Sequence, residues 1–137
     1  MPSLQNKQYI IWKLPVTLYA VALFTISSTA WSTSFTIVDG QFVTSQQTLS
    51  SNETGTINSG GDLTTSVNAI YANSASNITV LNSGAITTSG VLSYGIYSRS
   101  NSGTSTITNS GTLTTSGTTS YAIFSRLNTG TSTVTNS

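Results

Sequence analysis

The chain contains no His and no Cys, and its only acids are Asp39, Glu53 and Asp62. Without an imidazole or a thiol, neither a Ser-His nor a Cys-His nucleophile pair can be assembled. Zinc sites built on those two ligands are excluded for the same reason. Two of the three acids facing each other across a cleft would provide the carboxylate pair used in glycoside hydrolysis. Their surroundings point elsewhere: Asp39 precedes Gly40, and Asp62 follows Gly60-Gly61. The expected role of the acids is therefore turn-forming or solvated surface charge. No catalytic residue, metal ligand or cofactor site is expected.

The residues with a case for binding are aromatic and cationic. Tyr71, Tyr97 and Phe124 each follow an isoleucine, namely Ile70, Ile96 and Ile123. Neighbours on a strand face opposite sides, so inward isoleucines would leave the rings as an outward stripe. Such a stripe suits stacking on sugar rings or filling a partner interface. The alternatives are reversed parity, or rings that only cover the coil surface. Arg99 and Arg126 are spaced like the repeats and are expected at a solvated corner, with contact to an acidic ligand as the sharper alternative.

The element that must position them is a repeat. Asn58-Ser59-Gly60, Asn82-Ser83-Gly84 and Asn109-Ser110-Gly111 recur, and Asn136-Ser137 begins a further copy. The asparagines lie 24, 27 and 27 residues apart, a period that marks a solenoid. One copy contains three short β-prone segments: Ser105 to Asn109, Thr112 to Thr115, and Tyr121 to Ser125. Gly, Asn and Ser turn chemistry separates them. Val80 matches Ile107, Ile86 matches Leu113, and Ile96 matches Ile123. In the earliest copy Leu63 and Ile70 hold the equivalent places, with Thr56 at the first. A flexible Ser/Thr linker would not keep apolar residues in register, and no 3.6-residue period supports helix. The expected fold is all-β: a right-handed parallel β-helix of 24–27-residue coils. Each repeated Asn permits a tight turn at positive φ, which is the primary expectation, or bonds its neighbours in a ladder, and both can hold at once.

Residues 1–30 read as a signal peptide. Lys7 and Lys13 precede the apolar stretch Leu14 to Ile26, and Ser28-Thr29-Ala30 supplies the small residues for cleavage before Trp31. That run is short for a membrane span, which needs about 20 apolar residues, and Pro15 interrupts it. Residues 31–53 are expected to be an N-terminal cap or first irregular coil, and residues 54–137 the β-helical repeats, incomplete at the C-terminus. Beyond the leader, two arginines face three acids and there is no Lys. That balance provides no basic patch for nucleic acid.

The runs Leu81 to Gly90 with Tyr94-Gly95-Ile96-Tyr97, and Ile107 to Gly117 with Tyr121-Ala122-Ile123-Phe124, resemble passenger-domain repeats of bacterial autotransporters. The resemblance covers about residues 54–137. It implies a right-handed β-helical stalk exported through a Gram-negative outer membrane by a C-terminal β-barrel translocator. It also implies a secreted or cell-surface location and a structural or adhesive role, with a host surface protein or glycan as partner and no small-molecule substrate. The alternative reading is the non-catalytic scaffold portion of a secreted β-helical enzyme, for example one acting on polysaccharide.

Overall fold

The computed structural model describes residues 34–137; the signal-peptide reading lies outside the described residues. Short β-prone segments rich in Thr, Val and Ile pack well on a pleated surface, and the chain lays them down three to a turn. β1 (Phe35–Ile37), β2 (Phe42–Val43) and β3 (Gln47–Thr48) come first, followed by β4 (Thr54–Ile57), β5 (Asp62–Thr65) and β6 (Ile70–Asn73). β7 (Ser76–Asn82), β8 (Ala85–Thr88) and β9 (Ile96–Arg99) make the next turn. β10 (Ser102–Asn109), β11 (Thr112–Thr115) and β12 (Ile123–Arg126) follow it, and β13 (Ser132–Asn136) begins another. The strands form three parallel sheets: β1-β4-β7-β10-β13, β2-β5-β8-β11, and β3-β6-β9-β12. This is a parallel β-helix. The strand β1 to β3 stretch, read from sequence as a cap or irregular coil, pairs in parallel with the turn above it.

Register follows the apolar columns. Val80 lies beside Ile107, Ile86 beside Leu113, and Ile96 beside Ile123, while Leu63 and Ile70 sit beneath Ile86 and Ile96. Leu63, Ile70, Val80, Ile86, Ile96 and Ile107 are all buried. Stacked branched side chains from three sheets fill the interior, as expected of parallel strands with a covered face.

The earliest turn departs from the expected alignment. Gly55, not Thr56, lies beside Val80, and Thr56 lies beside Leu81. A Cβ on Gly55 would meet the Phe35 ring at 2.5 Å, so the ring from the coil below occupies the volume that a branched side chain fills higher up. The Asn58 equivalence fails as well: Ile57 is the residue beside Asn82, and Asn58 is exposed. Four residues, Asn58–Gly61, join β4 to β5 where two, Ser83-Gly84, join β7 to β8, so the phrase sits one place later and its asparagine falls in the exposed turn instead of on the strand.

Gly84 and Gly111 of the repeated phrase answer to stacking rather than to φ. A Cβ on Gly111 would lie 2.1 Å from the carbonyl oxygen of Gly84, and one on Gly84 2.3 Å from that of Gly61. Backbones of successive coils approach too closely there for any side chain. Of the glycines in the upper repeats only Gly103 has positive φ (71°), and most positive-φ positions are held by non-glycine residues, among them Leu92 (55°) and Thr119 (59°). These two occupy the same corner, where Leu92 N donates to the Thr118 carbonyl at 3.1 Å. The left-handed region costs an L-residue roughly 1–2 kcal/mol and is least suited to a β-branched one. Thr119 is exposed, so Thr119→Asn should relieve this strain and raise the melting temperature by about 4–8 °C per kcal/mol recovered. Differential scanning calorimetry measures it; an unchanged or lower midpoint counts against a strained corner.

Candidate functional site

β6, β9 and β12 read Ile-Tyr-Ala-Asn, Ile-Tyr-Ser-Arg and Ile-Phe-Ser-Arg. Alternation sends Ile70 and Ile96 into the core, with Ala72 and Ser98 also buried. The intervening residues therefore project from the outer face of this sheet. Register places Tyr71 beside Tyr97 and Tyr97 beside Phe124. Asn73 likewise lies beside Arg99, and Arg99 beside Arg126. Parity is the one that produces an outward stripe, and the reversed alternative does not hold.

The rings stack on one another. Tyr71 and Tyr97 have centroids 5.1 Å apart and planes within 7°, and Tyr97 and Phe124 are 5.3 Å apart at 10°. Sequence reasoning missed two further members, Tyr94 and Tyr121, which enter from the loops preceding β9 and β12. Tyr94 lies 4.9 Å from Phe124, 5.6 Å from Tyr97 and 5.8 Å from Tyr121. Their 27-residue spacing was the available signal, but loop residues lack the strand alternation that predicts direction. Parallel stacking along the solenoid axis engages ring faces within the column. What the column offers to solvent is mainly ring edges and phenol hydroxyls, which bears against the simple picture of sugars laid on open ring faces. Among the rings, Tyr121 is the most open, at 54% exposure.

Arg99 and Arg126 are both exposed, in register, at the ends of β9 and β12. The acids lie elsewhere. Asp39 is in the exposed turn after β1, and Asp62 begins β5, where its Oδ1 accepts from Thr64 Oγ1 at 2.8 Å. Glu53 takes the turn-forming alternative and not the solvated one: only 8% exposed, its Oε2 accepts the Ser50 backbone N–H at 2.6 Å. It closes the corner before β4. No group of three or more potential metal ligands occurs among the described residues.

The interior holds polar columns that the sequence reading gave second place or missed. Asn82 Nδ2 donates to Asn109 Oδ1 at 2.6 Å, and Asn109 Nδ2 to Asn136 Oδ1 at 2.7 Å. Asn82 and Asn109 are buried at 1% and 3% exposure, and neither has positive φ, so the ladder replaces the expected turn role. At the opposite corner Asn101 Nδ2 donates to Ser98 Oγ at 2.8 Å, its Oδ1 accepts from Ala75 N, and Asn128 Oδ1 accepts from Asn101 N. A concavity of about 510 Å³ opens above the last coil, with Asn109, Leu113, Ile123 and Asn136 in its lining. That lining contains no acid or base. Searches for related proteins found no matching family model, curated protein or solved structure.

Proposed function

We propose that this chain is an exported β-helical segment, autotransporter-like in kind, that serves as a structural and adhesive surface module. The observation that carries the reading is the outer face of the β3-β6-β9-β12 sheet, where Tyr71, Tyr97 and Phe124 and two arginines are held in register and Tyr94 and Tyr121 join the stack from the preceding loops. A rigid parallel scaffold keeps these side chains at repeat spacing, and aromatic and arginine side chains are the types enriched at recognition surfaces. The leader with Lys7, Lys13 and the small residues up to Ala30 supports export, with a secreted or outer-membrane surface location. Host surface proteins or glycans are the partners this reading names, and a β-barrel translocator is the expected route through the outer membrane.

Two measurements test it. The exported protein should begin at Trp31 by N-terminal sequencing; material retaining Lys7 and Lys13 would sink the leader assignment. Bacteria exporting the full chain should adhere to host-cell layers above a vector control, and combined Tyr97→Ser and Tyr121→Ser should remove most of that adhesion. Equal adhesion at equal surface amounts would end the adhesive role of this face.

A further inference from the structure

Arg99 and Arg126 lie directly beside each other on neighbouring parallel strands, with strand axes about 4.8 Å apart. Like charges in register on a sheet repel, and an anion set between them removes the repulsion. The remainder of the face supports the same sign of ligand. Aromatic rings carry positive edges around negative faces. Stacking engages the faces of Tyr71, Tyr97 and Phe124 within the column, so edges and phenol O–H donors are what the column presents. Asn73 continues the arginine column downward with an amide. All three acids lie off the outer face of the sheet: Asp39 and Glu53 in corners, Asp62 on β5.

The number of cations and the hydroxyl donors beside them select among anionic partners. Electrostatic attachment to an anionic membrane uses clusters of about four to eight basic residues, and the described part of the face carries two. Two guanidiniums flanked by hydroxyl donors match a short stretch of an acidic sugar chain. Resting on the adhesive reading and deepening it, we infer that this face binds a carboxylate-bearing glycan. One uronate carboxylate bridges Arg99 and Arg126, and sugar hydroxyls meet Tyr94, Tyr97, Tyr121 and Asn73. Guanidinium is the side chain best shaped for a carboxylate, through paired N–H donors.

The probe is polygalacturonate, titrated calorimetrically into the signal-cleaved full chain. The same polymer with its carboxyls reduced to alcohols, poly-glutamate, and vesicles containing phosphatidylglycerol serve as the other arms. Polygalacturonate should bind, the reduced polymer should bind at least about tenfold more weakly, and Arg99→Gln with Arg126→Gln should lose at least about tenfold, the effect of removing charge-assisted hydrogen bonds. Both arginines are exposed, so circular dichroism of the double variant should match the parent. Equal binding of the reduced polymer, tighter binding of poly-glutamate or vesicles, or an unaffected double variant would each overturn the inference. Adhesion of bacteria exporting the double variant separates the two claims. Retained adhesion with no polygalacturonate binding by the parent defeats only the glycan inference; binding by the parent without any adhesion defeats only the adhesive reading.

Discussion

Replacing Ile96 by Asp should destabilise the protein by several kcal/mol, enough to collapse the coils around it. Ile96 is 1% exposed and stands in the column between Ile70 and Ile123. Its backbone N–H donates to the Ala122 carbonyl at 2.9 Å. Burying an isoleucine contributes about 1.5–3 kcal/mol, and that contribution disappears. A carboxylate in its place also loses its hydration without a cation to replace it. None of the neighbouring column residues is charged, and the arginine on the same strand, Arg99, projects from the opposite face. Domains of this size are stable by only about 5–15 kcal/mol, so one such change consumes much of the margin. In a solenoid each coil is held by its two neighbours, so the damage should spread to the interfaces on both sides. Ile96→Val, which removes one methylene, should cost only about 0.5–1.5 kcal/mol. Urea melts followed by circular dichroism compare the three proteins. If the Asp variant unfolds at the parent's midpoint, Ile96 does not face the core.

A second substitution, Asn109→Asp, should be nearly as damaging although it changes one atom type. Asn109 uses both halves of its amide. Its Oδ1 accepts from Asn82 Nδ2 at 2.6 Å, while its Nδ2 donates to Asn136 Oδ1 at 2.7 Å and to the Gly111 carbonyl at 3.1 Å. An ionised carboxylate can only accept, so it would set an oxygen against two oxygens in a buried site. Loss of a buried partner costs about 1–3 kcal/mol, and more where charge is involved. Protonation would restore a donor toward Asn136. The folded state therefore favours the protonated form and raises the introduced carboxyl above its unfolded value of about 3.9. Since the folded state then holds more protons, stability falls as pH rises. The variant should approach the parent below about pH 4 and lose stability progressively as pH climbs through the raised folded value. Asn58→Asp offers the matched control. It lies in the same Asn-Ser-Gly phrase, but Asn58 is exposed, and the change should stay within about 0.5 kcal/mol. Midpoints measured from pH 3 to pH 8 give the result. A flat profile for Asn109→Asp, or equal losses at both positions, would mean that the ladder contributes nothing to stability.

The contrast between Asn58 and Asn109 shows where sequence and structure divide. Periodicity alone located the solenoid, since Val80, Ile86 and Ile96 recur in Ile107, Leu113 and Ile123 at one spacing, and only stacked parallel coils bury all three columns together. Strand alternation was equally legible: with Ile70 and Ile96 inward, Tyr71 and Tyr97 had to face out. The 27-residue spacing likewise set Arg99 beside Arg126, because similar segments of equal length stack in register, whereas the place of Asn73 beside Arg99 came from the structure.

Several placements needed the third dimension. The turn at Asn58–Gly61 holds two more residues than its counterparts, and the same asparagine therefore falls in an exposed turn there and on the inward strand face higher up; a phrase match cannot register an insertion that leaves the phrase intact. Phe35 filling the space over Gly55 joins residues 20 positions apart in a coil shorter than the others, beyond the reach of a 27-residue template. Glycines 84 and 111 look like turn residues by composition, but a carbonyl in the coil beneath, invisible to local sequence, is what forbids a side chain. Whether an asparagine serves a turn or a ladder depends on whether another amide lies one coil away at hydrogen-bond distance. The aromatic column divides in the same way. Sequence put the rings on the face opposite the isoleucines and left open which face was outward; the structure decided that, and contact between coils decided the orientation of the ring planes. With neighbouring rings held about 5 Å apart, stacking engages their faces and turns their edges to solvent.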